Sequence, residues 1–291
     1  MRRKAAMFPK YGVPDSANTA WMLTAFALVL LMTPALALFY GGMVRSKSVL
    51  NMMMMCLSAI PIVWIIWVVV GYSLAFGDDH GGLIGSFGSF PGLHHTYGHD
   101  SAHPDGMPLV GTIPAILFVA FQAGFAMVTV ALIAGAVADR MRFLSWVVFA
   151  AIWSVLVYIP IAHWVFSSPG LTEAHGGWIV SHLRAIDFAG GTAVEINSGA
   201  SALVLALLLG RRRGWPKDPM RPHNLPFVML GPDCCGSGGS GSTPARFWRP
   251  TVRPRSSRST RWVRVPRRWS LGSLSNSSDM VVRHRSVRHR V

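Results

Sequence analysis

Five long apolar runs, separated by short polar stretches, dominate the first 210 residues. They cover about 20–44, 49–76, 111–138, 143–166 and 192–210. A bilayer core about 30 Å thick needs roughly 20 apolar residues in helical conformation, and each run is close to or above that length. The pattern therefore predicts an all-α membrane protein with five spans. Pro34 and Pro61 fall inside two of them, which membrane helices tolerate where neighbours satisfy the freed carbonyls. The last run stops at Arg211, Arg212 and Arg213.

Cations orient the spans. Arg45 and Lys47 follow the first, Arg140 and Arg142 the third, and Arg211, Arg212, Arg213, Lys217 and Arg221 the fifth. Segment 77–110 holds no Lys or Arg, and 167–191 holds only Arg184. Cytoplasmic loops carry the excess of positive charge, so the exits of spans one, three and five are expected in the cytoplasm, and residues 1–19 outside. Arg2, Arg3, Lys4 and Lys10 oppose this weakly, and a start at Met7 would remove three of the four charges. These cations lead into Phe8 and Pro9 rather than an apolar run, so no cleavable signal peptide is expected.

Composition agrees with a membrane protein: 51% of the 291 residues are hydrophobic and 13% charged, against about 25% charged in soluble domains. A net charge of +15 would suggest a nucleic-acid partner if it were evenly spread, but residues 232–291 carry thirteen Arg, no Lys and two acids, and so hold +11 of it. The three cysteines, Cys56, Cys234 and Cys235, form neither a disulfide framework nor a metal-ligand spacing. His80, His94, His95, His99 and His103 lie in one loop. Their irregular, Gly-rich spacing favours a solvated segment over a metal site. No nucleophile–base set or phosphate loop points to an enzyme, and no cofactor is expected.

The candidate chemistry sits at the start of the fifth run. In AIDFAGGTAVEIN (185–197), Asp187 and Glu195 border hydrocarbon, with Gly190 and Gly191 between them. A carboxylate at that depth is costly without a partner or a function. Paired glycines allow close backbone approach and a sharp turn into a helix.

This block resembles the opening of the fifth membrane helix in the ammonium transporter (Amt/Mep/Rh) family. FYGGMVRSKSVLN (39–51), FVAFQAGFAMVTVALIAGAVADR (118–140), YIPIAHWVF (158–166) and RPHNLPFVMLG (221–231) match further family motifs in order. The resemblance runs from about Asp15 to Gly231. It implies an all-α fold equivalent to the first half of an eleven-helix transporter, over residues 20–231. It also implies a homotrimer with one pore per subunit, recruitment and deprotonation of NH4+, conduction of NH3, and a PII-type signal protein on the cytoplasmic face.

Residue by residue, the resemblance makes Phe121 an aromatic of the outer recruitment site and Phe125 an outer gate. Phe166 stands where many members have a cation-cupping Trp; Phe keeps a π face but binds a cation more weakly. Asp187 matches an aspartate that shapes the vestibule through backbone contacts. Glu195 replaces the first of two pore histidines, as in some fungal members. A carboxylate in a dry pore should have a raised pKa or a bound cation. The plainer alternatives are packing for the two α-helical phenylalanines, a helix cap for Asp187, and a partnered structural role for Glu195.

After Gly231 the sequence becomes Gly/Ser-rich and then Arg-rich, without a further span. When DCCGSGGSGSTPAR (233–246) is back-translated and read from the third base of each codon, it can be decoded as LLWFGWFGFNAGS, the kind of run with which the family continues. Residues 232–291 are therefore expected to be a frameshifted, low-complexity tail without stable structure. The alternatives are a chain without transport activity, or a membrane-tethered basic tail that binds nucleic acid or anionic lipid.

Overall fold

The computed structural model describes residues 10–98, 106–168, 176–212, 214–217 and 220–245. Residues 1–9, the loop histidines His99 and His103, and the Arg-rich tail from 246 onward lie outside the described residues.

Five helical spans are long and apolar enough to cross a membrane: Ser16–Met43, Ser46–Phe76, Ala115–Val137, Phe143–Phe166 and Gly191–Leu209. Each agrees with its predicted run to within about five residues. β1 (Lys10–Gly12) precedes α1 (Ser16–Met43), whose N-terminus is capped by Asp15 accepting from the Asn18 amide at 2.7 Å. The second span comprises α2 (Val49–Ile66), a π-helical turn over Trp67–Gly71 and α3 (Tyr72–Phe76). The connector that follows contains β2 (Asp79–His80), β3 (Ile84–Gly85), β4 (Met107–Val110) and β5 (Ile113–Pro114). The strands pair antiparallel in the order β1–β4–β5, with β2–β3 forming a separate hairpin.

The third span is α4 (Ala115–Ala134), extended by a short 3-10 turn. The fourth comprises α5 (Phe143–Trp153), a π-helical turn over Ser154–Tyr158 and α6 (Ile159–Phe166). That wide turn lies just before Pro160, which has no N–H to donate. The fifth opens with a π-helical turn over Gly191–Ile196 and continues as α7 (Asn197–Leu209).

The apolar runs alone do not say which span is central. In the structure α4 is: Phe118, Phe121, Phe125, Met127, Val130 and Ile133 are all buried, and α1, α2 and α7 pack around it. The outer spans instead expose large apolar side chains, such as Leu23, Ile65, Leu144, Leu156 and Leu207, as helices facing lipid do. Within the bundle, aromatic side chains donate to neighbouring helices. Trp67 Nε1 reaches Val119 O at 3.2 Å, Trp146 Nε1 reaches Met55 O at 2.8 Å, and Tyr40 OH reaches Leu132 O at 3.0 Å. These bonds satisfy polar groups that hydrocarbon could not.

At the start of the expected tail, α8 (Leu225–Ala245) runs through Gly231 without a break, so residues 232–245 are helical. The composition that suggested a low-complexity tail also allows this docking. A Cβ on Gly231 would lie 2.5 Å from Phe39 Cβ, and one on Gly238 would lie 2.3 Å from Met32 Cγ and 2.7 Å from Leu28 O. The glycines let α8 approach α1 at backbone distance, as small residues do between membrane helices. Gly238→Leu should therefore dislodge α8, at a cost of roughly 1–3 kcal/mol in overpacking. Limited proteolysis of the membrane-inserted chain, with cleavage around 225–245 rising severalfold, would report it.

Candidate functional site

Phe121 and Phe125 lie one turn apart on α4. Their ring centroids are 5.0 Å apart at 90°, an edge-to-face contact, and both side chains are buried, at 2% and 4% exposure. Thr129 Oγ bonds Phe125 O at 2.5 Å within the same helix. Phe166 ends α6 and is likewise buried. The three aromatics are thus held by the bundle and do not lie on its open surface.

Asp187 owes its position to the backbone. Gly190 takes φ +94°, which a β-carbon disfavours, and this turns the chain into the π-helical opening of the fifth span. The Asp187 carboxylate then lies over the first amides of that turn. Oδ1 accepts from Gly190 N at 2.7 Å, while Oδ2 accepts from Thr192 N at 2.9 Å and Ala193 N at 3.0 Å. Amides at a helix start have no partner within the helix, and the helix dipole favours an anion there. The carboxylate is spread over three donors of its own helix.

Glu195 is different. It lies near the end of the π-helical turn, and its side chain is exposed. Gly199, Leu203 and Leu207 follow at intervals of four and are exposed too, so a carboxylate heads an otherwise apolar stripe. Among the described residues it has neither a hydrogen bond nor an ion pair. The structure brings Phe121 against Phe125 and Asp187 against the helix amides. It keeps the Glu195 side chain on the open face of the fifth span.

One constellation was missed in the sequence. His163 on α6 is fully buried; its Nδ1 lies 2.9 Å from Ala75 O and its Nε2 3.0 Å from Asp79 Oδ1. Both ring nitrogens thus have an oxygen partner within hydrogen-bond distance. Asp79 also accepts from Gly82 N at 2.7 Å, and Trp164 Nε1 donates to Leu83 O at 2.7 Å. Together these bonds tie the β2–β3 hairpin to the fourth span. The available signal was an ionisable residue inside an apolar run, in YIPIAHWVF. His163→Ala should leave Asp79 and the Ala75 carbonyl short of a partner, at about 1–3 kcal/mol, and lower the unfolding temperature by several degrees in a thermal-shift assay. Among the described residues no group of three His, Cys, Asp or Glu side chains could hold a metal ion.

Polar contacts also gather at the ends of the first and third spans. Arg45 pairs with Asp139 at 3.4 Å, and Ser48 Oγ bonds the same carboxylate. Arg140 Nη1 donates to Gly210 O at 2.7 Å and Ala206 O at 3.3 Å, capping α7, while Nη2 donates to Ala136 O.

The model of the Ammonium Transporter Family matches residues 20–232. The ammonium transporter of Mycobacterium tuberculosis (strain ATCC 25618 / H37Rv) is 58% identical over 232 residues, covering 77% of this chain and 49% of that protein. That of Aquifex aeolicus (strain VF5) is 45% identical over 218 residues, covering 75% and 47%. Among solved structures, Candida albicans Mep2 superimposes with a TM-score of 0.68 at 35% identity, over 81% of this chain and 49% of that one. The chain spans about half the length of the curated relatives it matches, and it belongs to the ammonium transporter family.

Proposed function

We propose that this membrane domain serves transmembrane transport of ammonium. In this reading Phe121 and Phe166 belong to the outer recruitment region, Phe125 to the gate, and Asp187 fixes the opening of the fifth helix. Glu195 is the pore carboxylate. The observation that carries the reading is the pair of acids on one helix opening in a chain of this family. One acid is consumed by backbone amides; the other is free of partners among the described residues on an apolar face. An intramembrane carboxylate without a structural partner marks an ion or proton path by default.

The 291-residue chain as written is proposed to be inactive. Its match ends where the alternative reading of residues 233–246 begins, and its relatives are about twice the matched length. In the family reading the pore lies between two inverted halves, assembled as a homotrimer in the cell membrane with a PII-type signal protein on the cytoplasmic face. Proteoliposomes test this. The protein with its frame restored after codon 231 should take up ammonium, seen as a shift in internal pH, and the 291-residue chain should match empty vesicles. Uptake equal to empty vesicles by the frame-restored protein would refute the transport reading.

The N-terminus is proposed to lie outside. Backbone pairing of β1 with β4, and of Asp15 N with Thr112 O at 2.9 Å, supports a shared side for the N-terminal segment and the connector before α4. That connector has no Lys or Arg. A cysteine introduced beside Arg140 should react with a membrane-impermeant maleimide only from the cytoplasmic side.

A further inference from the structure

In the transport reading Phe166 serves recruitment and Asp187 fixes the entry to the fifth helix, yet the two stand on separate segments. Phe166 ends α6, and Asp187 precedes the π-helical turn over Gly191–Ile196. Residues 169–175 between them lie outside the described residues. Among the described residues the β2–β3 hairpin bonds to both segments, and Asp79 begins it.

One Asp79 oxygen, Oδ1, lies 3.0 Å from His163 Nε2 and accepts from Gly82 N at 2.7 Å. His163 stands one helical turn before Phe166 on the same face of α6. The His163 side chain is fully buried and that of Asp79 is 14% exposed. On the far side of the hairpin turn, Gly82 O accepts from Trp178 N at 2.9 Å. Gly177 N donates to Ser167 O at 3.1 Å, and a Cβ on Gly177 would collide with His163 O. The backbone at 177–178 therefore lies directly on the last turn of α6, and the chain runs on from it to Asp187. The hairpin is itself fastened to the second span. Ser73 Oγ on α3 lies 2.9 Å from Ser86 O and 2.7 Å from Phe87 O, and accepts from Phe90 N at 3.0 Å.

We propose that Asp79 is a positioning residue for ammonium recruitment, a role that rests on the transport reading: it registers Phe166, at the end of the fourth span, against the entry to the fifth span at Asp187. Without the carboxylate the buried ring nitrogen of His163 and the Gly82 amide lose their shared acceptor. The last turn of α6 and the segment after Gly176 are then free to shift against each other. A cation is held over an aromatic face only within about 6 Å of the ring centroid, so a displaced Phe166 weakens capture. Passage beyond Phe125, on the separately packed α4, is unaffected.

Two measurements test the role. In hydrogen–deuterium exchange of the 291-residue chain in detergent, Asp79→Ala should speed exchange severalfold at 164–168 and 176–183 and leave α4 unchanged. In proteoliposomes of the frame-restored protein, Asp79→Ala should raise the half-saturating ammonium concentration about tenfold, the equivalent of one hydrogen bond. Maximal uptake should stay the same, as when binding alone is lost. Asp79→Asn can meet the ring nitrogen with either amide atom and still accept from Gly82 N, so it should stay near wild type in both measurements. Unaltered exchange at 176–183 in the alanine variant would overturn the proposal. So would a fall in maximal uptake at unchanged half-saturation, which would leave Asp79 a purely structural residue. An asparagine variant as impaired as alanine would overturn it too, and assign the effect to the lost negative charge. Absence of uptake by the unsubstituted frame-restored protein would refute the transport reading and the recruitment role with it; the exchange measurement needs no transport, so the two failures are distinguishable.

Discussion

Asp187→Ala, introduced into the protein with its reading frame restored, should abolish ammonium uptake and lower stability together. The carboxylate accepts from three amides at 2.7, 2.9 and 3.0 Å. A hydrogen bond to a charged group contributes about 1.5–3 kcal/mol, and alanine removes all three acceptor contacts at once. The amides of Gly190, Thr192 and Ala193 would then sit at membrane depth with little water to replace the loss. The opening of the fifth helix should fray, and Glu195, within the same π-helical turn, should lose its position. Asp187→Asn keeps one carbonyl oxygen and should fall between wild type and alanine. Uptake in proteoliposomes and unfolding in a thermal-shift assay should follow the same order. Uptake near wild type in the alanine variant would show that the cap is dispensable.

Glu195 carries the second large expectation. Its carboxylate has no hydrogen-bonding or ionic partner among the described residues, so removing it disrupts no internal network. Glu195→Leu in the frame-restored protein should leave folding intact and cut proton-coupled current about a hundredfold, the lower end of the range for removing a positioned proton-transfer group. Glu195→His should keep ammonia flux while changing the charge carried per molecule. The measurement is current on a supported membrane, read beside vesicle pH change. Unchanged current in the leucine variant would return Glu195 to a structural role.

Much of the fold was legible in the sequence, because a bilayer imposes length and polarity on every span. All five helices follow from apolar runs alone, and cations such as Arg140 and Arg211 fall at their ends. The burial of α4 was not legible: its run is no more apolar to the eye than 49–76, and only packing separates a central helix from one facing lipid. The helix at 232–245 was not legible for a related reason. Gly and Ser are poor helix formers in water, so the segment reads as a low-complexity tail, yet Gly231 and Gly238 let it dock on α1.

Among the candidate site residues, the sequence identified Asp187 and Glu195 as paired oddities but could not distinguish their environments. That difference depends on Gly190 taking a positive φ, which aims the amides at one carboxylate and leaves the other on the open face. The His163–Asp79 contact joins residues 84 apart, beyond the reach of local pattern. The roles of Phe121, Phe125 and Phe166 come from family resemblance; in the structure all three are buried aromatics held by the bundle.

We propose that residues up to about 231 form the first part of an ammonium transporter whose reading frame breaks at that point. Growth of an ammonium-uptake-deficient strain on limiting ammonium tests it most directly. The gene restored in frame after codon 231 should rescue growth, and the gene for the 291-residue chain should not. Rescue by the 291-residue chain, or failure of a stably expressed frame-restored protein, would show that the frame does not break there or that the protein does not carry ammonium.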